Sequence, residues 1–184
     1  MKVVQWAFAV IGAVALAVVG VGFLLPSTFT VQRSIEIKAP PRKVYDMIHE
    51  PAQWPRWAVW NKRDPEMRIR YSGPQFGKGA KWSWQSSTEG TGSMEFTHVE
   101  PDRFVEYALV FPDFGLRSSG ALKLEPVAGG TRVTWTNTGD VGTNPLKHYL
   151  PLVMDRMVGP DFEAGLANLK EVVERSMQPV EKAR

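Results

Sequence analysis

The sequence has no cysteine, which removes disulfide bonds, thiolate metal sites and a cysteine nucleophile from consideration together. A dominant charge sign is missing too. The 22 Lys and Arg stand against 19 Asp and Glu, a net charge of +3, and the basic residues are scattered rather than clustered. Without a basic patch there is no electrostatic footprint for nucleic acid. Histidine is scarce: His49, His98 and His148 each lack a second histidine three or four residues away, so local spacing specifies neither a metal site nor a cofactor. There is no GxSxG elbow and no P-loop, and "GKGAKW" and "GTGSME" both lack the third glycine of a dinucleotide fingerprint. No catalytic constellation is legible.

What the sequence has instead is one long uncharged run. "VVQWAFAVIGAVALAVVGVGFLL" extends from Val3 to Leu25 with Gln5 as its only strongly polar member. As a helix rising about 1.5 Å per residue it reaches roughly 34 Å, enough for a hydrocarbon core of about 30 Å. A cleaved signal peptide is the competing reading, because Lys2 gives a short basic start. Against cleavage stand the length of the run and the lack of a small-x-small site following it before Pro26. Residues 3–25 are therefore expected to hold the chain in a membrane as a single pass. No Lys or Arg follows the span until Arg33, so the N-terminus is expected in the cytoplasm and the remainder on the outer side, periplasmic or extracellular. Secretion after cleavage is the alternative.

With 184 residues, 43% of them hydrophobic, the chain has room for one ordinary domain. It is expected over 27–176, between the anchor at 1–26 and a polar tail at 177–184. "TVQRSIEIKA" alternates Val31, Arg33, Ile35 and Ile37 against polar residues, a strand pattern, and Pro40 and Pro41 then open a short helix. A second helical piece, "PAQWPRWAVW", carries Trp54, Trp57 and Trp60 at every third position. From residue 67 the period becomes two, with strands expected near 67–72, 79–86, 91–99, 103–111, 115–125 and 130–138. The connectors "SGPQFGKG", "STEG", "EPD", "FPDFG" and "EPVAGG" supply the turn residues. One face of this meander is apolar and the other polar, as in an antiparallel sheet wetted on one side. A long helix over about 147–176 returns to a period of 3.6, with Leu150, Met154, Val158, Phe162, Leu166, Leu169 and Val173 on one stripe. Gly159 and Pro160 interrupt it. Either Pro160 bends or restarts the helix, with Gly159 absorbing the strain, or Pro160 begins a second helix whose dipole Asp161 and Glu163 favour.

The order of elements, together with "RSIEIKAPPRKVYDMI", "WPRW", "YSGP", "GGTRVTWT" and "MDRMVGPDFEAGLANLK", resembles the SRPBCC superfamily of START-like lipid carriers, birch-pollen-allergen-like proteins and polyketide cyclases. The resemblance implies an α+β helix-grip fold: a curved antiparallel sheet of about seven strands wrapped on the C-terminal helix, with a cavity between them. A hydrophobic small molecule or lipid is the implied ligand. The inward-facing residues expected to line the cavity are Trp82, Trp84, Met94, Phe96, Tyr107, Leu109, Trp135, Met154, Val158 and Phe162.

Two other functions remain open at this point. A cyclase- or dehydratase-like enzyme would move protons with water, Tyr107, His98 or Asp155, and Asp161 could also face a cavity mouth. A non-catalytic interaction module would instead have a filled core and present exposed tryptophans near 54–60 to a protein partner or the membrane.

Overall fold

The computed structural model describes residues 2–178, so the tail beyond 178 lies outside the described residues. Helix α1 (Lys2–Leu24) is long and apolar enough to cross a membrane, and nearly all of its side chains are exposed. Strand β1 (Thr28–Ile37) follows after a connector of three residues. Helix α2 (Pro41–Ile48) starts with proline at its first position, where the missing N–H has no partner to lose.

The tryptophan triplet folds as a 3-10 helix (Pro51–Arg56) leading into α3 (Val59–Arg63). A 3-10 helix has three residues per turn, so Trp54 and Trp57 eclipse one another on a single face. Their rings are not exposed, contrary to the expectation for an interaction module: Trp54 is 2% exposed and Trp57 0%. The indole N–H groups donate to Ile48 O at 2.9 Å and Met47 O at 3.0 Å. These are carbonyls of the last turn of α2, which a helix end leaves without partners. Burying two indoles thus satisfies two helix-end acceptors, and the 51–63 strap is pinned beneath its own tryptophans.

Strands β2 (Arg68–Ser72), β3 (Lys81–Ser86), β4 (Gly90–Glu100), β5 (Phe104–Phe111), β6 (Leu116–Val127) and β7 (Gly130–Asp140) form with β1 one antiparallel sheet in the order β1-β7-β6-β5-β4-β3-β2. Pairing fixes which residues share an end of the curved sheet. Thr28 pairs with Asp140, Asp140 with Arg117, Arg117 with Val110 and Val110 with Ser93. The turns joining β3 to β4 and β5 to β6 lie beyond this row, on the side from which α1 enters.

Helix α4 (Pro151–Met177) crosses the sheet with Pro160 inside it and no break, so Pro160 does not begin a second helix. The C-terminal half of its expected stripe is buried: Phe162, Leu166, Leu169 and Val173 pack under the sheet, and Phe162 stacks on Trp135 at 4.0 Å between ring centroids. Gly159 has a different purpose from strain relief. Arg33, pointing inward from β1, passes directly beneath it, and a Cβ there would collide with the guanidinium. The guanidinium is held by Asp155 (2.8 Å) and by Glu163 on either side of that glycine.

Candidate ligand cavity

The alternation of β3, β4 and β5 sends Trp82, Trp84, Met94, Leu109 and Phe111 to the inner face, where register sets Trp82 opposite Met94 and Met94 opposite Leu109. Ile69 joins them from β2, and the strap roofs them with Trp54, Ala58 and Trp60. Between roof and sheet is a cavity of about 100 Å³ with an almost wholly apolar wall. Trp84 lies across β4 because its register partner is Gly92; any Cβ at that position would run into the indole. Its ring continues to Phe111, centroids 5.6 Å apart at 78°.

Polar groups beside the cavity are committed to holding the strap. Arg63 donates two hydrogen bonds of 2.8 Å to the carboxylate of Asp161 on α4 and two of 3.0 Å to that of Glu89 in the β3–β4 turn. These contacts, the Asp161 bonds first, raise the affinity of Arg63 for its proton. Trp60 Nε1 donates to the same Asp161 at 2.9 Å. Asp64, buried at the end of the strap, accepts from the Ser86 hydroxyl and from the Glu66 N–H. The strap is therefore fastened to α4 on one side and to the β3–β4 turn on the other.

Of the ten residues expected to line a cavity, Trp82, Trp84, Met94 and Leu109 do so. Phe96, Tyr107, Trp135 and Phe162 sit in closed core, and Met154 and Val158 pack half-buried on the first half of α4. Among the described residues, none of α4 lines this cavity, because the Trp135–Phe162 stack fills the space between helix and sheet. The space lies instead between strap and sheet. Trp54, Ala58, Trp60, Asn61, Met67, Ile69, Glu89 and Phe111 also line it and are not among the ten. Phe111 was legible in the sequence, since it continues the Tyr107, Leu109 alternation; the strap residues were not, because nothing local says what a 3-10 helix will cover.

The candidate acid–base groups do not converge. Tyr107 is fully buried, its oxygen accepting the Trp135 indole N–H at 2.8 Å, and burial pushes its phenol up to about 12. His98 points to solvent with 53% of its side chain exposed. A β-bulge between Phe96 and His98 shifts the register, so the inward phase of Met94 and Phe96 passes to Val99. Asp155 is spent on Arg33, whose hydrogen bonds hold its carboxyl below the usual carboxylate range. Among the described residues no cluster of three His, Asp or Glu forms a metal-binding group.

A curved seven-stranded antiparallel sheet closed over a long C-terminal helix, with a short helical strap between β1 and β2, is a helix-grip fold. Residues 28–174 match the family model described as polyketide cyclase / dehydrase and lipid transport, and the chain belongs to that family. An uncharacterized protein of Mycobacterium tuberculosis (strain ATCC 25618 / H37Rv) is 25% identical over 123 residues, 64% of this chain and 70% of that one. Solved structures share the fold at low identity. Norcoclaurine synthase from Thalictrum flavum, in complex with dopamine and hydroxybenzaldehyde, superposes with a TM-score of 0.61 at 13% identity, covering 89% of this chain and 94% of that one. The allergen Ara h 8.0201 gives 0.60 at 16% identity, covering 80% and 99%. A Staphylococcus aureus protein of unknown function gives 0.61 at 17%, covering 83% and 98%.

Proposed function

We propose that this protein is a membrane-tethered binding domain whose strap-roofed cavity takes a hydrophobic small molecule of lipid-like or isoprenoid-like character. The observation that carries this is the cavity wall of tryptophan, methionine and aliphatic side chains beside polar groups already paired with one another. Rigid aromatics with adaptable methionines suit flat or elongated apolar ligands. Family membership, with lipid transport in the family's description, supports the same reading.

Volume sets a condition on it. Sites for drug-sized ligands occupy about 300 Å³ or more, against about 100 Å³ here. A ring or a branched chain end fits the closed form; a longer ligand requires the strap to lift, breaking the Arg63 contacts. The tether is α1, with the N-terminus cytoplasmic and the binding domain on the outer side, as the placement of Lys2 favours.

The test is photo-crosslinking of the full chain, in phosphatidylcholine nanodiscs, with a diazirine-bearing fatty acid and a diazirine-bearing isoprenoid. Adducts are expected on peptides containing Trp84, Met94 or Leu109, and to disappear in Leu109→Trp, which fills the cavity. Adducts confined to α1, unchanged by Leu109→Trp, would contradict binding in the cavity.

A further inference from the structure

Helix α1 does not hang freely from the domain. The His148 ring sits between two backbone carbonyls, Nδ1 at 2.8 Å from Gly22 O and Nε2 at 2.8 Å from Gly142 O. The Tyr149 hydroxyl donates to Val18 O at 2.7 Å. Gly22 is the one buried residue of α1, and a Cβ there would overlap the Pro145 carbonyl. The 142–149 segment is thus docked along the last two turns of α1.

That docking fixes depth. A span of about 20 residues, counted from Val3, ends at Gly22. Val18 lies six residues before Leu24, about 9 Å along the helix axis. A loop hydrogen-bonded to Val18 therefore stands within the last turns of the span rather than above it, at the level where a tyrosine ring is at home.

The surface beside this loop is apolar. At about 100° per residue, Leu150, which caps α4, and Val153 and Met157 within it fall on one side of the helix, and they are 37%, 41% and 62% exposed. Leu146, in the docked segment itself, is exposed next to them. The stripe adjoins the half-buried Met154 and Val158, and the described chain leaves it partly uncovered. Phe114, 62% exposed, projects from the β5–β6 turn at the same end of the sheet.

We infer that Leu146, Leu150, Val153 and Met157 form a membrane-seating face, immersed in the interfacial layer of the bilayer that α1 crosses. The occupant is lipid because the face is continuous with the helix already docked against it. The cavity, whose Trp84, Phe111 and Glu89 lie at the α1 end of the sheet, is then held against the lipid surface. The inference rests on α1 being a retained span.

The absence of cysteine allows a clean test with the full chain. Single variants Leu150→Cys, Val153→Cys, Met157→Cys, Leu16→Cys within α1 and Lys123→Cys on the far part of β6 are labelled with an environment-sensitive fluorophore. Each is reconstituted into liposomes of phosphatidylcholine with a minority of phosphatidylglycerol. Lipids carrying a nitroxide near the headgroup or deep in the acyl chain then report depth. Quenching by the shallow nitroxide at 150, 153 and 157, by the deep one at 16 and by neither at 123 is the expected pattern. Quenching at 16 but not at the three α4 positions overturns the seating face and leaves the span intact. No quenching at 16 overturns the span, and the seating face with it. A blue shift at the α4 positions without lipid quenching assigns the face to a protein, a second copy or another chain, and likewise overturns it.

Discussion

Arg63 grips Asp161 with both arms of its guanidinium, at 2.8 Å each, and so ties the strap over the cavity to the middle of α4. The same side chain reaches Glu89 in the β3–β4 turn. One residue thereby fastens a roof to two walls, and its loss should be felt in access more than in stability. Partly exposed ion pairs contribute about 0.2–1 kcal/mol each, so Arg63→Ala should lower stability only modestly. Its larger effect is expected on the rate at which anilinonaphthalene sulfonate enters the full chain, measured by stopped-flow fluorescence. An unchanged entry rate would mean that the strap is not the way in.

Gly92 and Trp84 make a coupled pair. Gly92→Ala forces the indole to move, and overpacking of this kind costs about 1–3 kcal/mol. Trp84→Ala alone should destabilise by loss of buried area. The double variant should be less destabilised than the sum of the two, since the three atoms nearest the new methyl all belong to the indole. Denaturant melts of the four proteins decide the matter; strict additivity would show that the alanine clashes with something else.

Tyr107 gives the fold a limit at high pH. Its phenol titrates at about 12 in the folded chain, against about 10 when unfolded. The folded state therefore holds the proton more tightly, so the contribution is fully present below pH about 10 and is lost as pH rises from 10 towards 12. Tyr107→Phe removes this component but leaves the Trp135 N–H unpaired in the core, costing about 1–3 kcal/mol at neutral pH. Thermal melts from neutral to alkaline pH should show the variant less stable at pH 7 and its deficit narrowing above pH 10. A constant deficit would contradict the assignment.

Asp155 sets a limit at the other end of the scale. Its hydrogen bonds to Arg33 lower its folded titration point, so the stability it lends is present above the unfolded carboxylate range and is lost as pH falls through the folded one. Asp155→Asn should flatten the acid limb of the melting curve. A limb with unaltered slope would assign the effect to other carboxylates.

Alternation made the sheet legible from sequence, because a strand with one wet face must repeat every second residue. Trp82, Trp84, Met94 and Leu109 were placed on the inner face by that rule and line the cavity. Strict alternation from Met94 and Phe96 would turn His98 inward, but its place at the strand end fits a solvated rim residue, and the bulge in β4 gives it that exposure. Helical periodicity found the inward stripe of α4 but not its division into a half-buried part at Met154 and Val158 and a buried part from Phe162 onward, since coverage depends on neighbours far away in the chain. Asp155 and Asp161 were legible as helix-flank carboxylates; their partners, Arg33 and Arg63, lie 122 and 98 residues away. Long-range pairing of this sort leaves no trace in spacing. For the same reason the spacing of Trp54, Trp57 and Trp60 shows a helical piece but not the roof it forms.

The central claim is that the space beneath the strap holds an apolar ligand, and native mass spectrometry of the full chain released from detergent micelles tests it most directly. The expected result is a reproducible bound mass that Leu109→Trp abolishes while the variant still melts cooperatively. A chain that stays free of added mass after incubation with membrane lipid extract, with wild type and Leu109→Trp indistinguishable, would contradict it.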